Sequence, residues 1–413
     1  MSAGLGFVLF AVALGFSVAV HEFGHLLTAK AFGMKARRYF IGFGPKIFSF
    51  HKGETEYGLK AIPAGGFVDI AGFTHLEEIE PTDEPRAFYN FATWKRFTVL
   101  VAGSLTHFLI AFLVLFLCAV AVGLPTDRPV IGAVTSCVLK SDPQNTADVN
   151  CASPGKKGVI AGAAKKAGLQ QGDRVLSVNG VKVADPDALV TRIRDAPGQR
   201  VRMGIIRDGK RLTIPVDVPG VTRGAINAAE KKRARGTVLT VGTIGVSIGT
   251  GTETFGPITS IGKSADFMGN GIVATFKGIG SLPGKVPAVF AALGGKKRDA
   301  NGPVSVVGVS RIGGQAVAAG SWLTFLLLLA SFNLFIGIFN LFPLLPLDGG
   351  HVAILLYERV RTWLAKVRRR APPTPVDLQK LMPVTLLVIA VVGGISVVTI
   401  LADVVNPISN PFR

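Results

Sequence analysis

Uncharged apolar stretches recur four times along the chain. Ala3 to Val20 carries no charge and the apolar character persists to about Thr28, so residues 1–28 are expected to form a membrane-crossing helix. No Lys or Arg precedes Lys30, so the run lacks the basic start of a cleaved leader and is expected to stay as a span. Residues 97–124 have no charge, with His107 as their one titratable imidazole, and predict a second span. Ile312 to Leu347 is again uncharged and predicts a third span within 320–350, and Pro383 to Ala402 centres a fourth at 382–404.

The intervening segments have other patterns. In 29–96, short runs such as Tyr39 to Pro45, Tyr57 to Ile62 and Pro63 to Val68 are broken by Gly and Pro, which reads as small hairpins rather than a helix. Such backbone is tolerated at membrane depth where protein or a wet cavity satisfies it, so a β region associated with the membrane is expected here. In 129–218, Asn179-Gly180 is a two-residue hairpin turn, and Asp185 caps a helix begun by Pro186. Two alternating strands, Val201 to Ile205 and Leu212 to Val216, follow. With Ala167-Gly168-Leu169-Gln170-Gln171-Gly172-Asp173 ahead of them, this order resembles a PDZ domain of the bacterial protease type, which implies a groove able to take a peptide. Residues 219–319 read as a basic linker and amphipathic segments on the membrane surface, because Ile261, Phe267, Met268, Ile272, Phe276 and Ile279 give the stretch from Ile258 to Ala292 an apolar side, although its glycines weaken any helix. Residues 351–381 form a basic loop. The fold class is therefore a polytopic α-helical membrane protein of about four transmembrane helices, with a membrane-associated β-hairpin region and an extracytoplasmic PDZ-like α/β domain.

Composition agrees with this division. The 413 residues are 49% hydrophobic and 17% charged, with a mean hydropathy of +0.45, which excludes a single soluble core. The net charge of +19 points to the lipid bilayer rather than nucleic acid, since no nucleic-acid motif accompanies it. Lys30, Lys35, Arg37, Arg38, Lys95, Arg96 and the run from Arg359 to Arg370 flank the spans on one side. That side is expected to be cytoplasmic, with both termini and the PDZ-like domain outside. Cys118 lies in a span, whereas Cys137 and Cys151 lie in a polar loop, where a disulfide is expected if the compartment is oxidising.

The chemistry centres on His21-Glu22-Phe23-Gly24-His25. Four residues apart on a helix, His21 and His25 share a face and can hold one Zn²⁺, while Glu22 is placed to act on a water as general base. A third ligand is expected at Asp348, a lone acid after the helix-breaking Pro343 and Pro346, with His351 as its rival. His107 reads as an interhelical hydrogen-bonding residue, or as a further ligand or relay. A non-catalytic scaffold or metal transporter is the competing class, and it has little need of a base between two ligands.

Together the His21 to His25 motif, the Pro63-Ala64-Gly65-Gly66 loop, the PDZ-like insertion and Asn340 through Gly349 resemble the site-2 proteases. The branch is that of the regulator of sigma-E protease, of an actinobacterial type. The resemblance implies an intramembrane zinc metalloprotease of the bacterial plasma membrane, acting on single-pass transmembrane substrates such as anti-sigma factors after a first cut outside. It implies zinc on His21, His25 and Asp348 with Glu22 as base. It also implies that Asn340 holds the substrate backbone, and that the segment from Tyr39 to Gly72, with Gly65, Gly66 and Phe67, adds a strand to it. The chain departs from the family's usual Pro and Asn in the second span, where it has Ser104 and His107.

Overall fold

The computed structural model describes residues 2–73, 77–142, 158–226, 230, 238–296, 298–299, 302–371 and 373–408. In chain order the described helices are α1 (Ala3–Ala31), α2 (Thr93–Leu117), α3 (Ala163–Ala167), α4 (Pro186–Arg194), α5 (Pro257–Leu293), α6 (Val306–Ala318), α7 (Trp322–Asn340), α8 (Asp348–Val367) and α9 (Leu378–Val405). The chain divides into two compact units, Met1–Val122 with Phe255–Arg413, and Gly123–Thr254.

Among the described residues of the first unit, four helices are long and apolar enough to cross a membrane: α1, α2 with its π-helical extension to Val122, α7 and α9. The third expected span is shorter than 320–350, because α7 ends at Asn340 and a proline turn separates it from α8, which starts at Asp348. The segment expected as linker and surface pieces is largely helical. α5 runs unbroken through Pro283 and Pro287 and packs on α2, α7 and α9. At Gly271 the missing side chain costs helix propensity but admits Leu334 of α7, whereas a Cβ at Gly262, Gly269, Gly278, Gly280 or Gly284 would meet nothing within 4 Å, so it is the packing of the helix as a whole that overrides propensity here. α6 shows the same trade, since a Cβ at Gly314 would lie 2.7 Å from Phe7 N in α1.

Strands β1 (Ala36–Lys52) and β2 (Thr55–Ile70) make one long, bent hairpin rather than several small ones. Each strand folds back on itself, at Gly42 to Pro45 and near Ile62, so the pair lays down four segments side by side. Their order is 46–52, 55–60, 36–43 and 62–70, and Gly66 to Ile70 is left as an outer edge with no strand beyond it among the described residues.

The second unit exceeds the expected 129–218. β3 (Leu124–Val134) pairs along its length with β13 (Val246–Glu253), and β11 (Gly220–Gly224) pairs with β12 (Val238–Gly242), so residues past 218 complete the fold rather than link it. The main sheet has the order β10 (Lys210–Asp217), β9 (Arg200–Arg207), β7 (Arg174–Val178), β3, β13, with β8 (Val181–Lys182) beside β7, while β5 (Ser141–Asp142) pairs with β11 and β6 (Val159–Ala161) with β4 (Cys137–Leu139). Its core includes Ile131, Leu169, Leu189, Met203 and Ile205. Asn179 and Gly180 take positive φ of 51° and 79°, as a type I′ turn requires, and Asp185 Oδ1 caps α4 by accepting the Ala188 N–H at 2.7 Å. Asp173, buried after the glycine run, receives Arg207 Nε at 2.7 Å and the Gln170 N–H at 2.8 Å. Burial pushes its carboxyl up, and these donors outweigh that and hold it below the usual carboxylate range. Cys137 lies buried on β4 (Cys137–Leu139), whereas Cys151 falls outside the described residues, and the buried Cys118 is free.

Candidate metal centre

The last three turns of α1 present His21 and His25 to α2 and α8. α1 and α2 approach closely because both carry glycine at the crossing. A Cβ at Gly24 would lie 2.9 Å from Ala102 O, and one at Gly103 would overlap His25 Nε2 and reach 2.8 Å from His21 Nε2. The third side chain comes from the far end of the unit. After α7, the Leu341 to Leu347 turn with Pro343 and Pro346 reverses the chain, and Gly349 and Gly350 let the first turn of α8 press against that turn's backbone. Asp348 thus sits at a helix N-terminus, where the dipole favours its negative charge.

The three ligand atoms form a near-equilateral triangle. His25 Nε2 lies 3.2 Å from His21 Nε2, and Asp348 Oδ2 lies 3.3 Å and 3.4 Å from the two histidine nitrogens. A tetrahedral zinc with bonds of about 2.0–2.1 Å separates its ligands by about 3.3–3.4 Å, so the donor set and spacing fit this ion. Asp348 Oδ2 is also buried without a hydrogen bond, an acceptor in need of a cation. Three such side chains would leave a fourth position for water or substrate, as in catalytic rather than structural zinc sites.

The two imidazoles are oriented differently. His25 Nδ1 donates to Val99 O at 2.7 Å, which leaves Nε2 with a lone pair to offer a metal ion. His21 Nδ1 is buried without a hydrogen bond, and its ring packs instead on that of His107, centroid to centroid 5.0 Å. His107 is not in the ligand triangle. Its Nδ1 donates to Asn333 Oδ1 of α7 at 2.9 Å, and Asn333 Nδ2 donates to Leu329 O. Asn333, fully buried, is the residue that sequence reasoning passed over, although a lone amide in the middle of an apolar span is itself a signal. His351 is likewise outside the triangle and packs edge-on against Phe73 at 4.9 Å.

Glu22 is half-buried beside the ligands, and its side chain lies on β2, where a Cβ at Gly66 would come within 2.9 Å of Glu22 Cγ. The outer strand edge that starts at Gly66 therefore runs past the carboxylate. Gly65 takes a φ of 114°, and Phe67 stacks on Phe40 at 5.7 Å. Asn340 is half-buried at the last residue of α7.

Residues 9–379 match the model of peptidase family M50. The chain is 40% identical to zinc metalloprotease Rip1 of Mycolicibacterium smegmatis, across 99% of both chains. It is 39% identical to Rip1 of Mycobacterium tuberculosis across 98% of both. It is 26% identical to protease RseP of Yersinia pestis, across 85% of this chain and 90% of that one.

Proposed function

The chain belongs to peptidase family M50 and is a zinc metalloprotease of the site-2 type, and from that premise we propose how its residues divide the work. His21, His25 and Asp348 hold the ion and Glu22 is the general base. The observation that carries this is the ligand triangle, built from an apolar helix long enough to cross a membrane and a carboxylate over three hundred residues away. Zinc bound there supplies Lewis-acid polarisation of the attacking water and the scissile carbonyl. Glu22 takes the proton of that water and passes it to the leaving amide nitrogen. A helical substrate hides its carbonyls in its own hydrogen bonds, so it must unwind before attack. The free edge at Gly66 and Phe67 offers replacement backbone partners by strand addition, alongside Glu22, and Asn340 holds the substrate backbone near the proline turn.

The substrates are single-pass transmembrane proteins, anti-sigma factors among them, already cut on the outer side. The Gly123–Thr254 unit is a PDZ-like domain that excludes untrimmed substrates or docks their peptide ends. It lies, with both termini, outside a bacterial plasma membrane, and the metal centre lies toward the cytoplasm; the basic residues flanking the spans support this orientation. In that compartment Cys137 and Cys151 pair.

Purified protein reconstituted with a model transmembrane substrate tests the assignment. Glu22→Gln is expected to lower turnover by about 10²–10⁴-fold while zinc content stays at the wild-type level. Equal cleavage by the two proteins would remove Glu22 from the mechanism.

A further inference from the structure

α8 carries a second surface that the protease site does not use. Its inward face, with Val352 and Leu355, packs on α2. Its outward face shows Leu356, Tyr357, Val360, Trp363, Leu364 and Val367, each between 37% and 62% exposed. At about 100° per residue these six fall within an arc of about 120°. Basic residues border that stripe on both sides, Arg361 and Arg368 along one edge and Arg359 and Lys366 along the other. Glu358, the only acid between Gly349 and Val367, points away from the stripe, 3.7 Å from Arg96 of α2.

The height of this stripe is set by its anchors. Arg96 lies in the first turn of α2, and Glu358 Oε1 also accepts the Val376 N–H at 2.8 Å, two residues before α9 begins. The middle of α8 is thus tied to the level at which two membrane-crossing helices start, which is where headgroups lie. Trp94, 60% exposed in that same turn of α2, is the kind of residue that sits at this depth.

We propose that the second half of α8 docks on the anionic phospholipid surface at this end of the spans. The aliphatic stripe enters the acyl boundary, Tyr357 and Trp363 sit at the headgroups, and the bordering arginines and lysine extend to lipid phosphates. A stripe bordered by cations on both edges suits an anionic bilayer, whereas a second copy of this chain would bring like charge against like. Because the ligand Asp348 is the first residue of α8, the docked helix also anchors the base of the metal centre.

Trp363 reports on this directly. The full chain has three tryptophans, so Trp94→Phe with Trp322→Phe leaves it alone. That protein is reconstituted in vesicles of phosphatidylcholine, or of phosphatidylcholine and phosphatidylglycerol in equal parts, each made with lipid brominated on the acyl chain. Strong quenching of Trp363 is expected in the mixed vesicles and weak quenching in the neutral ones. In the mixed vesicles, Arg361→Gln or Arg368→Gln should each lower the docked-to-free ratio by about fivefold. Arg359→Gln with Lys366→Gln, on the other border, gives the same reading should the first pair fail to fold. Absent quenching in both vesicles, equal quenching in both, or quenching that falls as protein density rises, the mark of a second copy covering the stripe, would each overturn the proposal. None of these outcomes bears on Glu22 or zinc, because the readout needs no cleavage.

Discussion

Room for two imidazoles between α1 and α2 depends on one missing side chain. Gly103 lies under both rings, so Gly103→Ala is expected to displace His21 and His25 together. Its zinc affinity should fall by about tenfold or more, the scale of losing a group that orients a ligand. Equilibrium dialysis against a zinc buffer checks this without reference to activity. His107, held by Asn333, touches the His21 ring, and such packing fixes a plane but not a tautomer. In the second unit, the Asp173 carboxyl is held low by Arg207 and the Gln170 N–H, so its contribution to stability is complete above its unfolded value of 3.8 and is lost as pH falls through the lower folded value. Asp173→Asn should therefore lower the melting temperature at neutral pH, and the difference from wild type should shrink as pH falls below 3.8. A constant difference across pH would deny the charge its role.

Among elements, the contacts that set the helix positions are made by absent side chains. Gly314 of α6 meets the backbone of α1 around Phe7, and Gly313 admits the Phe10 ring. Gly314→Ala must push the two helices apart or strain them, and a loss of about 1–3 kcal/mol is expected in detergent melts. This site is far along α1 from His21, so zinc content at low temperature should survive. The bent hairpin follows a related rule. Its glycines allow β1 and β2 to turn back on themselves, and the turn-back leaves the Gly66 edge, rather than the hairpin tip, beside Glu22.

For the whole molecule, the boundaries of the second unit decide how its role can be tested. Leu124 pairs with Glu253, so the chain enters and leaves that unit at adjacent points. Excising 129–218 alone would strand β11 to β13, whereas replacing 124–253 with a short linker removes the unit cleanly. If the unit filters substrates as proposed, that variant is expected to cleave untrimmed as well as trimmed ones. Retained discrimination would show that selection lies elsewhere.

Spans and motif were legible in the sequence because each is local. Twenty apolar residues must cross a bilayer as a helix, and histidines four apart on a helix must share a face. Asp348 stood out in the sequence as a lone acid beside two prolines, but only the folded chain set its carboxylate 3.3 Å and 3.4 Å from the two histidines. What tertiary structure alone decided were the relations among distant segments. Asn333 became the partner of His107 only once α2 and α7 packed, and Gly103 became the floor of the metal site only once α1 crossed α2. The glycines between Ile258 and Ala292 read as weakening any helix because propensity counts a single chain, whereas packing overrides it along α5, and at Gly271, Gly313 and Gly314 the missing side chain admits a neighbour. The strands past 218 read as linker because pairing β3 with β13 closes over a hundred residues, a distance at which sequence pattern carries no register.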